Sequence, residues 1–317
     1  MSRFVIRRVL EAIPALLGVT IISFAMLHII PGNPVKILLG NHWTIYRARI
    51  LTRNLGLNKP LYMQYLVWLW HALHGNFQYS YFYNKPVVSL ILSALPHTLE
   101  LVAIGIIISQ VCAVFIGTFQ AYYADSWFDQ VITVVLYFLY SMPIFWLGIL
   151  VIELFAIHLG WFPTGGITNP NDSNPNFWSY VYHLILPGIT ISASYVAGWT
   201  RYMRSSMRET LVQDYIRTAR SKGAGEFRVL FAHALRNSVL PLITLFGISL
   251  PALFGGALVT EEIFNYPGMG LLFWNAALES DMPVLLAIIV FLGTMTILGN
   301  LLADLLYAVV DPRISYN

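Results

Sequence analysis

The most informative residues form one polar stretch, Asp214-Tyr215-Ile216-Arg217-Thr218-Ala219-Arg220-Ser221-Lys222-Gly223. Read as a helix, it is about 15 Å long. The small side chain of Ala219 would let another surface approach closely. Gly223, followed by Ala224-Gly225, is a natural helix stop. The chain then runs through His233-Ala234-Leu235-Arg236-Asn237 to Leu240-Pro241, where a long apolar run begins. Two readings stand at this point. The stretch is a docking element that seats in a partner's groove, or it is a basic segment that merely follows the charge rule for membrane loops. No G-x-x-x-x-G-K-[ST] phosphate loop occurs anywhere, and Ser221-Lys222-Gly223-Ala224-Gly225 bears its glycines at the wrong spacing. The chain is therefore not expected to hydrolyse ATP.

Other reactive side chains are sparse. Glu11, Glu100, Glu153 and Asp304 are the acids within apolar runs, each near an end of its run. A proton relay needs acids near the bilayer midplane, so interfacial placement fits these four better. His42, His71, His74 and His97 invite a metal reading, and His71 and His74 share a helix face at i, i+3. Metal ligation needs three or four ligands, and neither Cys nor a nearby carboxylate joins them. The single cysteine, Cys112, cannot form an intrachain disulfide. No clustered acid–base or metal constellation supports a membrane-embedded enzyme.

The elements that must position these residues are membrane helices. Of 317 residues, 57% are hydrophobic and only 10% charged, against about 25% charged in a soluble domain; the mean hydropathy is +0.67. That balance excludes a soluble enzyme, a disordered tail and a coiled coil. Apolar runs long enough to cross a bilayer cover 9–30, 98–121, 131–159, 239–260 and 284–310, with a more polar sixth at 184–203. The segment 61–73, with Tyr62, Tyr65, Trp68 and Trp70, is too short to cross and reads as an interfacial helix. Arg3, Arg7 and Arg8 resemble the start of a signal peptide, but the run after them is too long and ends at Pro31-Gly32-Asn33-Pro34, so it reads as a retained span. Lys and Arg collect at the N-terminus, in 201–237 and at Arg313, whereas loops 160–183 and 261–283 have none. Both termini are thus expected in the cytoplasm. Pro143, Pro187, Pro241 and Pro251 fall in or at the start of spans, where kinks or ordinary membrane-helix irregularity are equally open. The run Gly247–Gly256, with Ser249 and Pro251, is the expected pore-facing strip.

The stretch Asp214–Gly223, continued by His233–Pro241, resembles the EAA coupling loop of ATP-binding cassette importer permeases, in the form found in the dipeptide/oligopeptide (peptide/nickel) family. The resemblance runs along the chain through Arg7-Arg8, Pro31-Gly32-Asn33-Pro34, Leu55-Gly56-Leu57-Asn58-Lys59-Pro60, Thr98-Leu99-Glu100, Phe145-Trp146-Leu147-Gly148, Gly160-Trp161-Phe162-Pro163, Pro267-Gly268-Met269-Gly270 and Asp311-Pro312-Arg313. It is closest to the subunit with a long first outer loop. It implies an all-α integral membrane protein with six transmembrane helices and the type I importer fold. Residues 1–30 would hold the cytoplasmic N-terminus and first span, and 31–95 an extracytoplasmic loop. Residues 96–310 would form the five-helix core, with the cytoplasmic coupling loop at 201–237, and 311–317 a cytoplasmic tail.

The implied partners are a second permease, two P-loop ATPases carrying ATP and Mg, an extracytoplasmic binding protein and membrane lipid, without nucleic acid and without a cofactor on this chain. Coupling would fall to Asp214, Tyr215, Arg217, Thr218, Ala219, Arg220, Lys222, Gly223, Asn237 and Pro241. An outer gate or binding-protein contact would fall to Glu261, Phe264, Pro267 and Gly268. The implied cargo is di- or oligopeptides; nickel or another small solute, or a secondary carrier, are the alternatives. The chain departs from the family at Gly75-Asn76-Phe77-Gln78-Tyr79-Ser80, in the absence of arginine from 122–130, and in the Asn/Pro-rich segment 169–176.

Overall fold

The computed structural model describes residues 2–29, 34–169 and 176–310. The expectations placed on Pro31, Gly32 and Asn33, on most of the Asn/Pro-rich segment and on the tail 311–317 lie outside the described residues, as do the side chains of Arg7, Arg8, Pro251 and Asp304. The described residues are helical, with an isolated antiparallel bridge between Tyr79 and Pro86. The first elements are α1 (Ser2–Ile29), α2 (Pro34–Leu39), α3 (Ile45–Asn54), α4 (Leu61–Leu73) and α5 (Val87–Tyr122). Next come α6 (Trp127–Ser141), α7 (Ile144–Val151), which continues as a π-helix over Ile152–His158, and α8 (Phe177–Leu211). The short helices α9 (Asp214–Ser221), α10 (Glu226–Arg228) and α11 (Leu235–Ser238) follow, with a π-helical Val229–Ala234 before α11. The chain closes with α12 (Leu240–Ile263), α13 (Met269–Leu278) and α14 (Met282–Val310). Among the described residues three helices, α5, α8 and α14, are long and apolar enough to cross a membrane by themselves, and α4 has the expected bounds of Leu61–Leu73.

The third expected span is two helices. The axes of Trp127–Ser141 and Ile144–His158 meet at 109°. Pro143 disfavours helical backbone at the residue before it, and Met142 accordingly adopts φ −81°, ψ 127°. By contrast, Pro187 sits buried inside the continuous α8, and Pro241 occupies the first turn of α12, where a missing N–H removes no hydrogen bond.

The chain divides into two compact units. The first comprises Met1–Thr98 and Pro267–Ile297, the second Leu99–Tyr266 and Leu298–Asn317. In the first unit, Phe24 of α1 packs its ring 5.5 Å from Tyr65 and 5.9 Å from Trp68 of α4. The hydroxyls of Thr20 and Tyr65 are hydrogen-bonded at 2.9 Å. Val87, Ile91, Met269, Val284, Leu285 and Ile288 complete this core. Asp281, fully buried just before α14, ties it to the loop after α4. Its carboxylate accepts the Ser80 hydroxyl and the backbone N–H groups of Tyr81 (3.1 Å) and Phe82 (3.2 Å), while Tyr83 N–H donates to Ser80 Oγ at 2.8 Å. Burial, and then the Asp281 charge, push the Tyr81 hydroxyl up to about 12. Asp281→Asn keeps the shape but removes the charge that strengthens these bonds, and is expected to cost about 1.5–3 kcal/mol. A lowered melting temperature of the purified protein, with faster proteolysis in 76–86, checks this; an unchanged melt would deny the tie its role.

The second unit is organised on α8, whose buried face runs through Leu186, Ile191, Met203 and Met207. Helix α5 crosses it at glycines. A Cβ on Gly105 would lie 2.7 Å from Ile191, and one on Gly117 would lie 2.7 Å from Met203 and 2.9 Å from the Thr200 carbonyl. Such contact needs residues without side chains and brings the two backbones close. Ser109 of α5 donates to the Gly105 carbonyl at 2.6 Å and lies 3.3 Å from that of Ser192.

Candidate functional site

The polar stretch is a helix at the end of α8. Helix α8 ends at Leu211, with Val212 N–H donating to the Thr210 carbonyl; Gln213 turns extended (φ −71°, ψ 151°), and α9 begins at Asp214. An acid in the first turn and Arg220 in the last suit the helix dipole. Helix α9 is short, so it cannot be stable by itself. Ile216 supplies what is missing: it is 0% exposed and packs with Met203, Met207, Val229, Ala234 and Leu242. The opposite face, at the i, i+3, i+4, i+7 spacing of Asp214, Arg217, Thr218 and Ser221, is exposed. Asp214 and Arg217 pair on that face at 3.4 Å, and the Thr218 hydroxyl donates to the Asp214 carbonyl.

The end of α9 is closed on itself. Gly223 has φ +81°, its N–H donates to the Arg220 carbonyl at 2.9 Å, and Ala224 N–H donates to the Ala219 carbonyl at 3.2 Å. Arg220 grips Glu226 with two bonds of 3.0 and 3.1 Å. Asn237 donates from Nδ2 to the Tyr215 hydroxyl at 2.9 Å, joining the two halves of the loop. Tyr215, Arg220, Gly223 and Asn237 are thus held together with Ile216, while Arg217 and Lys222 are exposed and Ala219 is half-buried. Pro241 serves as the start of α12.

Ten residues before α9, Arg204 is fixed in place. Its Nε donates to Asp129 Oδ1 at 2.8 Å and its terminal amine to Oδ2 at 2.5 Å. Asp129 is buried at the start of α6 and also accepts Gln120 Nε2 (3.2 Å) and Asp125 N–H (3.0 Å). One turn further along α8, Arg208 pairs with Asp125 at 3.2 Å. The loop 122–130 that lacks arginine therefore presents acids to the arginines of α8. The arrangement contains no nucleophile paired with a base. It is a rigid polar knob, pinned at one buried side chain, on a helix braced by ion pairs.

Of the four outer residues, Glu261, Phe264 and Gly268 are buried and Pro267 is half-buried. In the second unit Glu261 and Phe264 are fully buried, and the Phe264 carbonyl accepts Gly166 N–H at 2.8 Å. Tyr266 donates to Glu100 at 3.2 Å. In the first unit Gly268 is buried and Pro267 half-buried, and Thr98 Oγ1 caps Met269 N–H at 2.8 Å. Asn265, exposed with φ +46°, is the outward-facing residue of this turn. Among the in-membrane acids, Glu153 is exposed beside His158 at 3.3 Å. Sequence reading missed Ile216 and Asp129. The signals were a lone isoleucine in a polar helix and a pair of acids, Asp125 and Asp129, spaced like Arg204 and Arg208.

Known sequences resemble the chain along its whole length. The family described as "Binding-protein-dependent transport system inner membrane component" matches residues 113–316, and its N-terminal counterpart matches 1–102. The oligopeptide transport system permease protein AppB of Bacillus subtilis is 42% identical over 317 residues, covering 100% of both chains. The dipeptide transport system permease protein DppB of Alkalihalophilus pseudofirmus is 37% identical over 333 residues, again covering 100% of both.

Proposed function

The chain belongs to the family of binding-protein-dependent transport system inner membrane components, and from that premise we infer that it is a peptide permease subunit of an ATP-binding cassette importer. It is an integral inner-membrane protein with the type I importer membrane fold, and it works in a complex with other subunits. The finer parts of the reading are ours. The partners are a second permease, two P-loop ATPases that bind ATP and Mg, and an extracytoplasmic binding protein. Both termini and the segment 201–237 face the cytoplasm, which the distribution of Lys and Arg supports. The chain itself catalyses nothing and binds no cofactor.

One observation supports the coupling role above the others. Helix α9 joins α8 through a two-residue turn, is anchored by Ile216, and turns a continuous polar face outward. Closure of the ATPase pair on ATP would push this knob, and α8 would carry the displacement into the membrane core as a rigid element. The test is affinity purification of the tagged chain from native membranes in mild detergent. Co-purification of a homologous permease with two P-loop ATPases, and peptide uptake into vesicles that requires ATP but not a proton gradient, are the expected results. Recovery of the chain as a lone homo-oligomer would sink the assignment of partners.

A further inference from the structure

The first unit holds a half-open cavity of about 480 Å³, within the roughly 300–1,000 Å³ typical of small-molecule sites. It is bounded by the last turns of α1 (Phe24, His28), by the turn after α3, by Trp68 of α4 and by the start of α14 (Met282, Leu286). Its walls combine apolar side chains with Thr52, Gln64, Gln78 and Tyr81; among the described lining residues Lys59 and His28 are basic and none is Asp or Glu. The turn bearing Lys59 is held in place: Gln64 Nε2 donates to the Lys59 carbonyl at 2.7 Å and to that of Leu57 at 3.3 Å. His28 Nδ1–H donates to the Phe24 carbonyl at 2.8 Å and its ring stacks on Phe24 at 4.1 Å, leaving Nε2 for a ligand.

Depth in the bilayer selects the occupant. α1 ends and α14 begins at this cavity, so it straddles the boundary between hydrocarbon and headgroups, where the aromatic residues of α4 also belong. A ligand there meets apolar walls on the membrane side and a cation at the water side. A free peptide carries an ammonium group that nothing in this lining would neutralise. An anionic amphiphile matches both ends, since a lysine at the membrane surface attracts anionic headgroups. We propose that the cavity is a binding site for an anionic glycerophospholipid, with an acyl chain against Phe24, Trp68 and Leu286 and the phosphate at Lys59. The Tyr81 hydroxyl, also in the lining, stays protonated as a donor to phosphate oxygen. The site would fasten the loop after α1 to the membrane surface.

The test uses the assembled transporter in phosphatidylcholine nanodiscs doped with phosphatidylglycerol whose acyl chains are brominated, a quencher of tryptophan fluorescence. Expected is a saturable quenching component that Trp68→Phe removes. It should half-saturate at a mole fraction at least fivefold lower for brominated phosphatidylglycerol than for brominated phosphatidylcholine. Lys59→Gln is expected to abolish that preference, and Leu286→Phe, which narrows the apolar end of the cavity, to weaken the component with Lys59 intact. Equal quenching by the two lipids, an unchanged preference in Lys59→Gln, or displacement of the component by a saturating dipeptide would each overturn the proposal. ATPase stimulation by the binding protein, read on the same nanodiscs, tests the transporter reading separately: its absence would count against that reading and leave the lipid result standing.

Discussion

Gly223→Val is expected to cut ATP-driven peptide uptake at least tenfold while the permease still folds and reaches the membrane. The position has φ +81°, and open space surrounds the missing side chain. The cost is therefore in the backbone: a β-branched residue in the left-handed region is strained by about 1–2 kcal/mol. That strain is relieved by unwinding the last turn of α9, which the bonds from Gly223 N–H and Ala224 N–H otherwise close. The exposed face then loses its fixed direction, and a push delivered to it is dissipated. Ala219→Asp is expected to act alike by placing a charge on the half-buried flank of α9. Ile216→Ala is the control with a different signature. It empties a fully buried site and should cost about 2–5 kcal/mol of stability, so the protein itself becomes scarce. Uptake and ATPase activity of the purified complexes, with membrane abundance from immunoblots, separate the outcomes. Normal uptake in both Gly223→Val and Ala219→Asp would sink the coupling role of α9.

Arg204→Ala is expected to destabilise the permease by about 3–5 kcal/mol, because it strands the buried Asp129 carboxylate without its cation. The remaining donors, Gln120 Nε2 and Asp125 N–H, solvate the charge only in part. Removing both partners costs less than removing Arg204 alone, since an apolar pair leaves no orphaned charge. The double variant Asp129→Leu, Arg204→Met should therefore recover a large share of the loss. A double-mutant cycle on melting temperature in detergent measures the coupling. If Arg204→Ala melts like the parent protein, the pair is not a brace, and displacement of α9 must reach the membrane by another route.

What the sequence made legible was set by local rules. An uninterrupted apolar run forces a helix wherever water is absent, so the long helices α5, α8 and α14 could be read from composition alone. Leu61–Leu73 was legible because proline precedes it and its aromatic residues mark an interface. Asp214–Gly223 was legible because a glycine stop is a property of one residue. The break at Met142-Pro143 was not, because proline in a membrane helix is compatible with a gentle kink as well as with a right-angled turn, and packing decides between them. Asp129 was hidden for another reason: the charge rule for loops counts lysine and arginine and gives acids little weight, so Asp125 and Asp129 carried no signal until α8 placed arginines opposite them. Glu261 and Phe264, expected at an outer gate or binding-protein contact, are fully buried, and the Phe264 carbonyl meets Gly166, nearly a hundred positions away in sequence, a pairing that no local rule announces.

The tie between Ser80 and Asp281 joins residues 201 positions apart. A ribosome adding about 5–20 residues per second needs about 10–40 s to cover that distance. During that interval α1 to α4 are already made, yet the buried carboxylate that will receive the N–H groups of Tyr81 and Phe82 does not exist. The first unit is thus assembled from two segments far apart in sequence, and a nascent chain halted before Asp281 leaves the loop around Ser80 without its buried carboxylate. Maturation of this region is set by translation time, and slow codons in the intervening stretch would lengthen its exposure without changing any residue.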